Sequence, residues 1–189
     1  MMKLIREYFE KFMKLSDEDW LIFSSKLIKE EFSKNHILLQ VGQTENYLSF
    51  IESGIIRFFI PKEENDVTFS FIFSNTFMSG YESFFTQTPS IYSIETLAET
   101  VLWRITYEDL QIVYKESEVG NILGRISCEN LFLQKSKREI SLLQDTAEQR
   151  YQNLFTEQPY IFEHISLKYI ASFIGVTPQA LSRIRKRIS

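Results

Sequence analysis

Gln179, Ser182, Arg183 and Lys186 recur at three- and four-residue steps, with Arg187 beside them, in a stretch that holds no acid from Thr177 to Ser189. Side chains at this spacing share one face of a helix. Their types have a chemistry in common. Arginine bonds guanine bidentately, glutamine pairs with adenine, and serine bonds base edges or phosphate. Residues able to do other chemistry are scarce. Cys128 is the single cysteine, which excludes an internal disulfide framework and any cluster of cysteine ligands. His36 and His164 lie far apart with no motif around either, so no metal site is expected. Without clustered ligands or a nucleophile beside a base, no enzyme is expected.

The polar face needs a frame, and the preceding residues supply one. Ser166 is placed to cap a helix whose apolar residues Leu167, Ile170, Phe173 and Ile174 recur at helical spacing. Gly175 ends it, because glycine enters the left-handed conformation without steric cost. Thr177-Pro178 starts a second helix, since a residue before proline is pushed out of the helical region and proline suits the first helical position. Leu181 and Ile184 then face back onto Ile170 and Ile174, with small Ala171 at the crossing. The segment reads as a helix-turn-helix with a basic second helix.

Composition separates this end from the rest. The chain has 189 residues, 44% of them hydrophobic, with 17 Phe, ample for a packed core. The net charge of −4 conceals an asymmetry: the last thirteen residues hold four cations and no acid, so the body carries a net −8. An acidic body with a basic end directs nucleic acid to the end alone. No 18-residue apolar run occurs, and MMKLIREYFEKFMKL has charges throughout, so neither a membrane span nor a signal peptide is expected. The reading is a cytoplasmic protein.

Upstream, residues 2–14 suit an amphipathic helix with Leu4, Ile5, Tyr8, Phe9 and Phe12 on one face, and Ser16 caps a second helix to about Ser25. From Lys26 to Arg104 short runs rich in Phe, Ile, Val, Thr and Tyr alternate with turn signals, predicting a sandwich or rolled barrel of strands. Gly42, Gly54 and PKEEND (61–66) mark turns. The run breaks at NTFMSGYESFFTQTPS, where a helical turn follows Gly80, a reasonable place for a small-molecule site. A short helix starts at Thr106. A long one runs from about Glu116 to Leu143, with Val119, Ile122, Ile126, Leu133, Ile140 and Leu143 on one stripe. At ~1.5 Å per residue it spans ~40 Å, more than a small domain needs for its own core. The stripe fits a symmetry mate, the alternative being purely intramolecular packing. A third helix covers Thr146 to about Thr156 and ends at Gln158-Pro159.

A strand-rich roll, a long helix and a helix-turn-helix, in that order, resemble the Crp/Fnr superfamily of bacterial transcription regulators. The pieces that carry the resemblance are SGIIRFFI (53–60), the GYESFF to SIETL passage (80–97), AEQRYQNLF (147–155) and the helix-turn-helix. PSIYSIETL (89–97) and TPQALSRI (177–184) look closest to regulators of the Bacteroidetes type. The resemblance implies an α+β chain of three parts. Residues 1–115 would form a sensor domain, a double-stranded β-helix or jelly roll of the cyclic-nucleotide-binding kind with flanking helices. Residues 116–144 would form a dimerisation helix, and 145–189 the helix-turn-helix domain. It also implies a homodimer across Val119, Ile122, Ile126, Leu133 and Ile140, bound to double-stranded DNA at a pseudo-palindromic operator with half-sites about 34 Å apart. RNA polymerase becomes a further partner, and no membrane is involved. Carried over by position, Gln179, Ser182 and Arg183 read bases, while Ser166, Thr177 and Lys186 meet phosphate.

The resemblance has departures. The family's phosphate cassette is a Gly-Glu pair, a short helix, then Arg-Ser. Here Gly80, Tyr81 and Glu82 stand at its start and Ser90 and Tyr92 at its far end, with no cation from Tyr81 to Val101. Burying a cyclic phosphate without a paired cation costs several kcal/mol. cAMP is therefore not the expected effector; the loop holds another small molecule or is structural, and no cofactor is expected. Pro178 stands where cAMP-responsive members place an arginine. Relatives usually continue into a β-hairpin wing, whereas this sequence stops at Ser189, so most of a wing is not expected. The competing reading is a small-molecule-binding signalling module whose C-terminal helices contact protein rather than DNA.

Overall fold

The computed structural model describes residues 2–188, apart from the side chains of Glu118, Val119 and Leu123. The chain is α+β, as expected. Its order is α1 (Met2–Glu10), α2 (Asp17–Ser24), β1 (Ile28–Phe32), β2 (Ile37–Leu39), β3 (Tyr47–Ser53), β4 (Ile55–Ile60), β5 (Val67–Phe73) and β6 (Phe77–Met78). Then come α3 (Tyr81–Thr86), β7 (Ser93–Thr96), β8 (Thr100–Thr106), α4 (Tyr107–Glu116), α5 (Glu118–Gln144), α6 (Ala147–Glu157), α7 (Ile161–His164), α8 (Leu167–Phe173) and α9 (Pro178–Ile188). None of these helices is long and apolar enough to cross a membrane.

The strands form two four-stranded sheets, ordered β1-β8-β3-β6 and β2-β7-β4-β5. In the first, β8 pairs antiparallel with both neighbours, Leu102 facing Glu30 on one side and Ile51 on the other. The chain divides into two compact units. One holds residues 1–58 and 71–129; the other holds residues 59–70 and 130–189.

In the first unit the phenylalanines do what their number implied. Phe9 of α1 stacks on Phe77 of β6 with centroids 5.3 Å apart, and Phe23, Phe50 and Phe84 close the cluster with Ile5, Ile105, Leu110 and Val113. Each such buried side chain contributes roughly 1.5–3 kcal/mol. Ser16 caps α2, its hydroxyl accepting from the Asp19 amide at 3.1 Å, and Thr106 does the same for α4 from Asp109 at 3.0 Å. Helix α1 is shorter than the expected 2–14: it stops at Glu10, and Leu4 and Phe12 are exposed. The long helix begins at Glu118 rather than Glu116, because Ser117 is extended (φ −138°, ψ 123°) and separates it from α4.

The second unit is the tip of the β4–β5 hairpin, the C-terminal part of α5 and the helices after it. A capping box starts α6: Thr146 Oγ1 accepts from the Gln149 amide, and the Gln149 side chain accepts from the Thr146 amide. Phe59, Tyr151, Leu154, Ile161, Ile165, Ile170, Ala171, Ile174, Leu181 and Ile184 are its buried apolar residues among those described. The hairpin joins them through Ser172, whose hydroxyl accepts from the Thr68 amide (2.8 Å) and donates to the Asp66 carbonyl (2.9 Å). Two short elements were not anticipated: β6 has two residues and α7 four, too few for a periodic signal.

Candidate functional site

The helix-turn-helix forms as its local signals dictate. Gly175 takes φ +77°, its amide donates to Ser172 O (3.0 Å), and the Val176 amide donates to Ala171 O (2.9 Å). Thr177 Oγ1 accepts from the Ala180 amide at 3.2 Å, and Pro178 is the first residue of α9. Two details correct the sequence reading. Ser166 is the N-cap of α8 through its carbonyl, which accepts from Tyr169 and Ile170, but its hydroxyl makes no cap bond. Leu167 is 41% exposed and packs no core, because it sits in the first turn of a seven-residue helix whose buried face starts at Ile170.

Gln179, Ser182, Arg183 and Lys186 all lie exposed on α9, with Arg185 and Arg187 in its last turn, while Leu181 and Ile184 of the opposite face are buried. Ser166 and Thr177, each at the start of its helix, are exposed as well. The structure therefore brings the six residues expected at nucleic acid onto one helix pair. Lys168, which no sequence motif singles out, is exposed in the first turn of α8. It lines a cleft of about 330 Å³ with Asp66, Tyr169, Ser172, Thr177 and Pro178.

The cassette residues also come together, but protein groups occupy their polar sites. A Cβ on Gly80 would meet Leu39 Cδ2 at 2.8 Å, so a side chain there would have to displace that buried methyl. The Gly80 amide donates to Glu45 Oε2 at 3.4 Å, and Ser83 Oγ accepts from the Glu45 amide (2.9 Å) while donating to Thr88 O. Burial pushes the Glu45 carboxyl above its ordinary range, against the pull of the Tyr47 amide, Arg104 and the Gly80 amide. The Tyr92 hydroxyl is bonded to the backbone of Glu82, and burial, then the Glu82 charge, push it up to about 12. Ser90 ties the far end, donating to Tyr92 O (2.8 Å) and accepting through its carbonyl from the Gly42 amide (2.8 Å). Tyr81 is raised too, chiefly by burial. The Gly80 and Glu82 amides thus already have partners in Glu45 and Tyr92.

A cation does lie inside the roll, outside the span considered in the sequence. Arg57 of β4 pairs with Glu95 of β7 at 2.6 Å, Arg57 being 1% exposed. Its signal was a lone arginine in the apolar strand IIRFFI. Among the described residues no group of histidine, cysteine, aspartate and glutamate is placed to hold a metal ion.

Along α5, Leu133 (64%) and Ile140 (53%) are exposed, Ile122 less so, and Ile126 is half-buried. The Val119 side chain, assigned to the same stripe, lies outside the described residues. Leu143, at 80% exposed, extends the stripe towards α6.

Residues 29–117 match the family model of the cyclic nucleotide-binding domain. Three solved structures share the fold over most of the chain. One is the c-di-GMP-responsive global regulator CLP of Xanthomonas campestris, at TM-score 0.71 and 15% identity, covering 92% of this chain and 91% of that one. The second is an Eubacterium rectale protein assigned to the Crp/Fnr family of transcriptional regulators, at TM-score 0.74 and 18% identity, covering 96% and 87%. The third is the catabolite activator protein of Thermus thermophilus, at TM-score 0.57 and 16% identity, covering 94% and 85%. No curated protein matches in sequence. The fold is that of the Crp/Fnr transcription regulators: a cyclic-nucleotide-binding roll, a long helix and C-terminal helices. The narrower likeness to the Bacteroidetes type receives no support from these relatives.

Proposed function

We propose that the protein is a sequence-specific, DNA-binding transcription regulator of the Crp/Fnr type. Residues 1–115 serve as sensor, 116–144 as dimerisation helix and 145–189 as DNA-binding domain. The observation that carries the reading is α9: Gln179, Ser182, Arg183 and Lys186 share an exposed face on a helix held from behind by Leu181 and Ile184. A helix of this composition fits a major groove, with Arg183 on guanine and Lys186 on phosphate. The exposed apolar stripe of α5 supports a homodimer, whose paired helices would call for a pseudo-palindromic operator. RNA polymerase is the partner through which such a regulator would act.

The effector is not cAMP on this reading. What supports this is the occupation of the cassette by Glu45 and Tyr92, together with the engagement of Arg57 by Glu95. The regulator from Xanthomonas campestris responds to c-di-GMP; the lack of any lysine or arginine from Tyr81 to Val101 argues against a phosphate ligand there of either kind.

Genomic fragments captured by the purified protein and footprinted at low ionic strength test the proposal. A two-fold symmetric protected sequence, with affinity falling steeply as salt rises, is the expected result. Uniform weak binding to every fragment, or none, would overturn it.

A further inference from the structure

The last turn of α8 contains an arrangement that neither capping nor core packing requires. A helix leaves its final carbonyls without donors of its own. In α8 the turn recovers two of them, Ala171 O and Ser172 O, through Val176 and Gly175. The next two carbonyls are taken by arginines from earlier helices. Arg138 of α5 donates from Nη2 to Phe173 O at 2.7 Å, and Arg150 of α6 donates from Nε to Ile174 O at 2.8 Å. Arg138 also lies over the Phe173 ring at 3.9 Å, so it engages that residue by both backbone and side chain. Arg150 reaches a third carbonyl, Asp145 O at 2.5 Å, at the junction of α5 and α6.

These contacts are made at a cost. The two guanidinium groups stand near each other and their described partners are carbonyls and a ring, not carboxylates. Burial, then the nearby Arg150 charge, push Arg138 down to about 10. Water or a single lysine would satisfy two carbonyls more cheaply. What a planar guanidinium adds is direction, because its fork fixes the line of approach as an ammonium does not.

Direction matters here because of what else α5 carries. At 3.6 residues per turn, Arg138 lies about 140–160° round the axis from Leu133 and Ile140. One side of the helix presents the exposed apolar stripe, and the other grips the end of α8. Helix α9 follows α8 as one body through Ile170, Ala171, Ile174, Leu181 and Ile184, all buried. We infer that Arg138 and Arg150 are positioning residues that set the angle of the helix-turn-helix on α5, and thereby the separation of the two reading helices in the dimer. The inference rests on the function proposed above.

Its test uses the full chain and synthetic duplexes carrying two copies of the footprinted half-site. Their centre-to-centre spacing is stepped one base pair at a time around a helical turn of ~10 bp. The wild-type protein should prefer one spacing by about tenfold or more, since avidity is lost when geometry forbids both contacts. Arg138→Gln should flatten that preference to roughly two- to threefold while leaving single-half-site affinity and dimer mass unchanged. Arg138→Lys should fall between, and Arg150→Gln should resemble Arg138→Gln. A wild-type spacing profile in Arg138→Gln, or an equal loss on every duplex including the single half-site, would overturn the inference alone. A wild-type protein that ignores all duplexes would overturn the proposed function with it.

Discussion

Arg57 and Glu95 meet 2.6 Å apart within the roll, joining strands β4 and β7 across 38 residues of sequence. The pair has two consequences for stability that point in opposite directions. Glu95→Gln removes the charge that faces a buried guanidinium, so it should destabilise the chain by about 1–3 kcal/mol. Replacing both, as in Arg57→Met with Glu95→Leu, should come within about 1–2 kcal/mol of wild type or exceed it, because desolvation of both ions is avoided. Urea unfolding of the three proteins measures this, and a double variant weaker than the single one would refute it.

Arg183 and Lys186 share a face of α9 but should fail differently. Arg183→Ala is expected to cost ~1–3 kcal/mol on the preferred sequence and to relax discrimination. Lys186→Ala should weaken all duplexes alike and reduce the salt slope by about one. Competition binding across sequence variants separates the two, and indistinguishable profiles would show that the roles are misassigned.

The exposed apolar stripe of α5 predicts an assembly state. Ile140→Glu should halve the mass seen by light scattering while leaving the circular dichroism spectrum unchanged, since Ile140 is exposed within the chain. Operator affinity should drop by at least about a hundredfold as the second half-site contact is lost. A variant that keeps the wild-type mass would place the dimer elsewhere.

Glu45 makes stability depend on pH in a defined direction. Its folded pKa lies above the ordinary glutamate value of 4.5, so between the two values the native state binds more protons than the unfolded state. The stability it contributes is complete below that ordinary value and is lost as pH rises through the folded pKa. Glu45→Gln should remove this decline, and the difference between the two stability curves, measured from pH 4 upward, isolates it.

Gly54 is held at φ +117°, and a Cβ there would overlap the Thr100 hydroxyl and backbone. Gly54→Ala should cost about 3 kcal/mol or more, combining strain with overpacking. Thermal unfolding would show it, and a wild-type melting temperature would show that the β3–β4 turn relaxes freely.

The features legible in the sequence were those whose causes lie within a few residues. Gly175, Thr177-Pro178 and the spacing of Ile170, Ile174, Leu181 and Ile184 act over one or two turns, so the helix-turn-helix could be read directly. The caps at Ser16, Thr106 and Thr146 are likewise local. Pairings across the fold were not legible. Arg57 finds Glu95, Ser172 finds Thr68, and Arg138 finds a carbonyl, a group that every residue carries and that leaves no mark in sequence. Glu45 was missed for the same reason: its task is to face Gly80, 35 residues away. The errors in α1 and at Leu167 arose because helix periodicity assigns a face, and only the packed neighbours decide how much of that face is covered.

Ser172 has a consequence for dissecting the protein. Strand β5 ends its sheet, and a terminal strand offers free amides to any passing chain. Here a hydroxyl from α8 occupies the rung at Thr68 and the neighbouring Asp66 carbonyl. A fragment cut before the C-terminal helices would bare that rung. Such a piece should self-associate through its open flank, and its oligomers would report a missing guard rather than any natural assembly of the strand-rich part.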